Sequence, residues 1–358
     1  MEPPLSGTSG RLQQVVEHWM PRIQTAGITA MDALRLTGEA GEWRDWCATW
    51  SREAERHIAL AEEAEAHGRL ITAGEAYTRA ALFFHFAQFM FFDDLAQKHQ
   101  AAQRKVETYR RAAPLLLPAA KPIAVPFASG AVHGYLRRPN IDTASLVILI
   151  PGSDSTKEEF ASLEDHFLRR NLATFSFDGP GQGEGRAHGY LTPDWVSVLK
   201  AVVTALAHQP GVNGRIGVMG MAFGGHLALQ GAYAIPSLEA LVCMNGFYDL
   251  GSFWDELPEV YRANMRYSLG GDNLDDTAAR ARHFTLNNTP PPSCPVLIIH
   301  GVRDKIFPLE DARHLASRMD SLAEMVEYPE GNHVCNNIAY KYRPLMADWF
   351  AERLRGRV

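Results

Sequence analysis

Arg215-Ile-Gly-Val-Met-Gly-Met-Ala-Phe-Gly-Gly-His226 decides the fold. It begins as a short apolar strand, reverses between glycines and runs into a helix start. Gly220 and Gly224 flank the turn where a side chain would obstruct it, and Gly225 lets the helix lie close to a sheet. Such a turn lifts its central side chain clear of the backbone. The central residue is Ala222, whose methyl group carries no reactive atom. Taken alone, these residues also fit a Gly-rich strand-to-helix turn in another α/β fold, so the flanking chain has to decide.

Outward from that stretch, short continuously apolar strands alternate with helices. Ahead of it the pattern predicts strands Ser145–Ile150 and Ala173–Phe177 and helices Glu158–Arg170 and Pro193–His208. Behind it come a helix after Phe223, then strands Ala240–Met244, Val296–Ile299 and Glu324–Tyr328, with a helix over Leu309–Arg318. Strands of this kind predict an α/β fold, a mostly parallel sheet covered on both faces. Lys121–Arg138 alternates around Ser129-Gly130 and reads as a β-hairpin. Between Phe247 and Pro292 the alternation breaks into helix formers and aromatics (Phe253, Trp254, Tyr261, Tyr267), as a helical cap inserted over about 249–292 would.

The first third is different. After an unstructured start over 1–10, residues 11–118 read as a helical domain closed by Pro114-Leu-Leu-Leu-Pro118, and 119–358 as the α/β domain with its cap. Helices are expected over Glu53–His67, Thr72–Phe92 and Asp94–Ala112, too few and too irregular for a tetratricopeptide array. Trp19, Trp43, Trp46 and Trp50 and the phenylalanines at 83–92 read mainly as helix packing, with some left to line a pocket for an aromatic ligand.

The chain has 358 residues, 46% hydrophobic and 21% charged, with a formal net charge of −6. That charge gives no reason to expect nucleic acid or an anionic membrane as partner. The four scattered cysteines (Cys47, Cys243, Cys294, Cys335) fit neither a disulfide framework nor a zinc site, and read as free buried thiols. No signal peptide and no membrane span is evident, so a cytoplasmic location is expected. No cofactor and no metal is called for.

The strand ends supply chemistry. Pro151-Gly-Ser-Asp-Ser-Thr-Lys-Glu-Glu159 follows the first buried strand; its small residues Gly152, Ser153 and Asp154 could aim N–H groups at an oxyanion, with the N–H of Phe223 as the other half. The same loop also reads as a βα turn with a Ser or Asp helix cap. Asp178-Gly-Pro-Gly-Gln-Gly-Glu184 lacks the ending of a P-loop and the dinucleotide spacing, which speaks against nucleotide binding. Asp304 follows the strand at 296–299, and His333 follows the last strand. Nucleophile position, acid, histidine is the chain order of the α/β-hydrolases, and the elbow G-x-S-x-G is their nucleophile turn. In that frame Asp304 holds the imidazole of His333, which acts as general base and then general acid.

These segments together resemble the α/β-hydrolases typified by 2,6-dihydroxypseudooxynicotine hydrolase, and are similar to polyketide-shortening hydrolases and bacterial esterases. His18-Trp-Met-Pro-Arg22 and Trp43-Arg-Asp-Trp-Cys-Ala-Thr-Trp-Ser51 look like that family's helical start. The resemblance implies hydrolysis of a carbon–carbon bond next to a ketone, or of an ester, in a small-molecule substrate. It also implies a pocket between the helical domain and the hydrolase core, with His18, Trp19, Arg22 and Trp254 as expected contacts, and commonly a homodimer. Ala222 stands at the family's serine, Asp304 at its acid and His333 at its histidine.

Ala222 is the departure. Replacing serine by alanine removes the hydroxyl and leaves the turn undisturbed. Keeping Asp304, His333 and the oxyanion loop favours a working hydrolase from which only the hydroxyl has been removed. A hydrolase-derived small-molecule binding protein, and a lyase or cyclase using the His–Asp pair without a nucleophile, are the alternatives.

Overall fold

The computed structural model describes residues 8–128 and 130–355. The chain divides into two compact units: residues up to Ala120 together with Glu158–Ser162, and Lys121–Lys157 with the chain from Leu163 onward.

The first unit is helical: α1 Thr8–Ala26, α2 Ala30–Ala40, α3 Trp46–Ala66, α4 Leu70–Gln88 and α5 Leu95–Ala112. Residues 1–7 of the expected unstructured start lie outside the described residues. Residues 8–10 correct that expectation, since they already belong to α1; Thr and Ser are residue types that favour helix starts. The α3–α4 hairpin is centred on Trp46, Trp50, Phe83 and Phe86, all buried. Trp46 and Trp50 stack at 4.5 Å, and the Trp46 indole N–H donates to the Phe86 carbonyl at 2.8 Å. The indole thus buries its apolar face while its one donor is satisfied. Helix α4 stops at Gln88 rather than Phe92, because Phe89 turns extended and Met90 takes a positive φ. The buried Lys98 ammonium of α5 caps that end, donating to the Gln88 carbonyl at 2.6 Å. Asp94 starts α5 by accepting from the N–H groups of Ala96 and Gln97.

The second unit is built on one eight-stranded sheet. Its strands are β1 Ala120–Phe127, β2 Gly130–Arg137, β3 Ala144–Ile150, β4 Leu172–Asp178, β5 Val212–Met221, β6 Leu238–Met244, β7 Val296–Gly301 and β8 Ala323–Tyr328. The spatial order is β1-β2-β4-β3-β5-β6-β7-β8. Strand β2 pairs antiparallel with β4, and from β4 onward every pair is parallel. Strands β3, β4 and β7 are buried at every position; β3 and β7 carry continuous apolar runs (Leu146–Ile150, Val296–Ile299), while β4 buries Thr174, Ser176 and Asp178 among its apolar residues. The flanking helices are α6 Ala161–Leu168, α7 Trp195–Ala207, α8 Phe223–Ala232, α11 Leu309–Met319 and α12 Ala339–Arg353. The expected helix at 158–170 is shorter: Lys157–Phe160 is a 3-10 turn, and Glu158–Ser162 belongs to the helical unit.

The cap follows β6. A 3-10 turn over Leu250–Glu256 leads to α9 Glu259–Leu269 and α10 Leu274–Ala281. Its base is closed by Asp249, whose carboxylate accepts from Thr285 Oγ1 at 2.9 Å and Asn287 Nδ2 at 3.2 Å.

Candidate active site

Strand β5 ends at Met221 and α8 begins at Phe223, so the whole reversal falls on Ala222, at φ 52° and ψ −118°. An L-residue is strained there and stays only because its surroundings hold it. The Ala222 N–H donates to the Met244 carbonyl at 2.8 Å, and its own carbonyl accepts from Gly225 N–H at 2.9 Å. The flanking glycines are required sterically. A Cβ on Gly220 would lie 2.0 Å from the Gly224 oxygen, and one on Gly224 would lie 2.3 Å from the Ile150 oxygen. The loop after β3 passes beside the elbow, since a Cβ on Gly152 would fall 3.5 Å from that of Ala222.

The ends of β7 and β8 bring Asp304 and His333 together. His333 Nδ1 and Asp304 Oδ2 are 2.8 Å apart, with the carboxylate buried and the imidazole partly exposed. Asp304 Oδ1 accepts from the backbone N–H groups of Ile306 at 2.8 Å and Phe307 at 3.1 Å. Burial by itself would push the carboxyl up, but the His333 and His300 rings and these donors outweigh it and hold Asp304 below the usual carboxylate value. Asp304 is therefore held as an anion facing the imidazole Nδ1.

A short path ties this pair to the elbow. Ala222 bonds to Met244, the next residue Asn245 donates from Nδ2 to Asp304 Oδ2 at 2.7 Å, and Asp304 holds His333. A line of edge-on rings makes the same connection: Phe223 to Phe247 at 5.1 Å, Phe247 to Phe307 at 5.0 Å, Phe307 to His333 at 5.2 Å. His226, the histidine nearest the elbow in sequence, has another role. It is fully buried, stacks on Phe247 at 4.4 Å, and burial pushes it down to about 4, so it stays neutral.

The loop at Gly152–Asp154 is braced from two sides. Gln182 Nε2 donates to the carbonyls of Pro151 at 2.5 Å and Gly152 at 3.1 Å. From the cap, Asn264 Nδ2 donates to Ser153 Oγ at 3.0 Å and Ser268 Oγ to the Ser153 carbonyl at 3.2 Å. The Asp178 loop is a strut rather than a phosphate cradle: buried Lys157 Nζ lies 2.7 Å from both Asp178 Oδ2 and Glu184 Oε2.

The expected substrate contacts fall in two places. In the helical unit, Trp19 packs edge-on against Phe89 at 4.9 Å, with His18 5.7 Å from Trp19. Arg22 lies over Phe89 at 4.4 Å and forks onto Glu159 at 2.7 and 2.8 Å. Trp254 is buried in the 3-10 turn of the cap. The cap residue drawn to the His–Asp pair is Tyr261, whose ring centre is 6.3 Å from that of His333.

Sequence reading missed Asn245, Asn264 and Ser268. Asn245 could have been singled out as a polar residue at the carboxyl end of a buried parallel strand, where α/β sheets place their sites. Asn264 and Ser268 sit four apart, on one face of a helix, but nothing in the sequence points that face at Ser153.

A model of the FrsA-like esterases matches residues 37–317. The 2,6-dihydropseudooxynicotine hydrolase of Paenarthrobacter nicotinovorans is 34% identical over 325 residues, covering 87% of this chain and 83% of that protein. Hydrolyase poxO of Penicillium oxalicum is 32% identical over 225 residues, 58% of this chain and 53% of that protein. A crystal structure of 2,6-dihydroxy-pseudo-oxynicotine hydrolase superposes with a TM-score of 0.87 at 31% identity, covering 94% of this chain and 95% of that one. Among the described residues, no helix is long and apolar enough to cross a membrane.

Proposed function

This chain belongs to the FrsA-like family of α/β-hydrolases, and from that premise we propose that its site is built for serine-type hydrolysis of a carbon–carbon bond beside a ketone in an aromatic or polyketide-like small molecule. The observation that carries the reading is the 2.8 Å contact between His333 Nδ1 and a buried Asp304, tied through Asn245 and Met244 to the strained turn at residue 222. The names of the hydrolases similar to this chain support the substrate class.

With a serine at 222, the hydroxyl proton would pass to His333 Nε2 as the oxygen bonds to the substrate carbonyl carbon. The N–H groups of Phe223 and of the Gly152–Asp154 loop would hold the oxyanion. Collapse would break the carbon–carbon bond, its electron pair leaving on a carbon stabilised by a hydroxylated ring or a β-ketone and taking the proton from His333. Water, deprotonated by His333, would then release the acyl group. In the present chain Ala222 has no hydroxyl to begin this sequence, so the site would bind substrate without turnover. Removal of the nucleophile costs on the order of 10⁶ in turnover in a serine protease.

The test is Ala222→Ser, assayed on β-diketones and acyl phenols beside simple esters. Cleavage of the diketones supports the reading, and cleavage of esters alone replaces it with a carboxylesterase. A serine variant inactive on both, with tight binding by the Ala222 chain, points to a small-molecule binding protein. Turnover by the Ala222 chain itself would mean that the His–Asp pair acts without a nucleophile. Assembly as a homodimer belongs to the same proposal and is read by sedimentation.

A further inference from the structure

Asn245 is fully buried and holds a backbone conformation, φ 46°, that most side chains avoid. Asparagine is among the residues that tolerate it. Its N–H donates to the Ile299 carbonyl of β7 at 2.7 Å, which fixes the residue between two strand ends. Its Nδ2 then reaches Asp304 Oδ2 at 2.7 Å, the same oxygen that faces His333 Nδ1 at 2.8 Å. Its Oδ1 accepts from the Cys335 thiol, two residues beyond that histidine, at 3.9 Å. One amide therefore touches both the acid and the loop that carries the base.

With the two backbone donors on Oδ1, Asp304 accepts four hydrogen bonds. A carboxylate so saturated shares its negative charge among its donors, and each donor weakens its pull on the others. Among the remaining titratable neighbours, Glu327 acts on His300 and Glu330 on Cys335. His300 Nε2 is 3.8 Å from Asp304 Oδ2 but 3.2 Å from the Phe307 carbonyl, and burial keeps the ring below its usual value. The Cys335 thiol is pushed up to about 12 by burial and stays neutral, and Tyr261 presents a ring to His333.

We propose that Asn245 is a positioning residue that shares Asp304 Oδ2 with His333 and fixes which carboxylate oxygen the imidazole meets. The proposal rests on the His–Asp pair being the working pair of the proposed function. Its test, however, needs no turnover.

The experiment follows the His333 Nδ1–H by nitrogen-correlated NMR of the Ala222 chain at one fixed pH, with His333→Asn for assignment. Asn245→Gly deletes the donor and suits the positive φ. Asn245→Asp keeps the shape and sets a second carboxyl beside Asp304. Two buried carboxyls sharing a site cannot both ionise, so the pair keeps one proton, a donor to Asp304 remains, and this variant is the control. Asn245→Gly should shift the His333 Nδ1–H resonance downfield, because the carboxylate it faces loses one of its donors, and Asn245→Asp should shift it less. If the folded Gly variant keeps the parent Nδ1–H resonance, or the Asp variant moves as far as the Gly variant, the proposal is overturned. If the shift appears but Ala222→Ser remains inert on every substrate, the hydrolase reading fails while the role of Asn245 stands.

Discussion

Asn264 Nδ2 in cap helix α9 donates to Ser153 Oγ at 3.0 Å, so a loop leaving β3 is held by a helix inserted after β6. Tyr261 lies one turn earlier on the same helix face, near His333, and Ser268 one turn later bonds the Ser153 carbonyl. A single helix face thus spans from His333 to the proposed oxyanion loop. Asn264→Ala should lower stability by about 1 kcal/mol, the net value of one such hydrogen bond, read as a lower urea midpoint with unchanged slope. In the Ala222→Ser background it should lower kcat more than it raises KM, because the loss falls on the developing oxyanion. A change in KM alone would detach Asn264 from the oxyanion loop's function.

The strain at residue 222 is separately measurable. At φ 52° and ψ −118° a Cβ is disfavoured, and glycine is not. Ala222→Gly should therefore stabilise the protein by about 1 kcal/mol, within the range for one strained residue. Ala222→Val should destabilise it, since a branched Cβ tolerates that conformation least. Denaturation midpoints in the order Gly, Ala, Val check the prediction; equal midpoints would mean that the turn is relaxed in solution.

Gly224 tests the elbow from its other side. A Cβ there would meet the Ile150 and Pro151 carbonyl oxygens at 2.3 and 2.6 Å, both backbone atoms of buried chain. Gly224→Ala must push β3 and α8 apart, a strain of about 3 kcal/mol or more by the usual cost of overpacking a core. The expected result is poor soluble yield or a large fall in Tm. Gly38, where an added methyl would meet nothing within 4 Å, is the control: Gly38→Ala should leave Tm unchanged or slightly raised, being helical.

These predictions also mark where sequence reading ends. The sheet was legible because strands buried on both faces leave apolar runs such as Leu146–Ile150, and the elbow because three glycines cannot carry a Cβ. The order of Ala222, Asp304 and His333 was legible because each follows a strand in a parallel sheet. Asn245 and Asn264 were not, because a lone polar residue has no period and its partner lies 59 or 111 positions away. The same reason hid Glu158–Ser162, which reads locally as the start of one helix yet belongs to the helical unit. There Glu159 takes the Arg22 fork, and its carboxylate, which burial would push up, is held well below its usual value by Arg22 and His85.

Asp311 gives a pH signature distinct from that of the His–Asp pair. It stands in the first turn of α11 and accepts from the Tyr248 N–H, at the junction where β6 passes into the cap. Burial raises its carboxyl to about 6, against an ordinary 3.8, with nearby Asp249 adding to the rise and backbone donors opposing it. A carboxyl raised on folding binds its proton more tightly in the folded chain, so this group makes stability fall as pH rises from about 4 to 6. Asp304 works the other way: its carboxyl is held low, so its contribution is present above pH 3.8 and is lost as pH falls through its folded value. Asp311→Asn removes the titrating proton and keeps an acceptor for Tyr248. It should flatten the fall between pH 4 and 6, leave the loss below pH 3.8 in place, and be at least as stable as the parent at pH 7. Urea midpoints measured across that range decide it, and a variant that follows the parent curve at every pH would show that Asp311 ionises as an ordinary surface carboxylate.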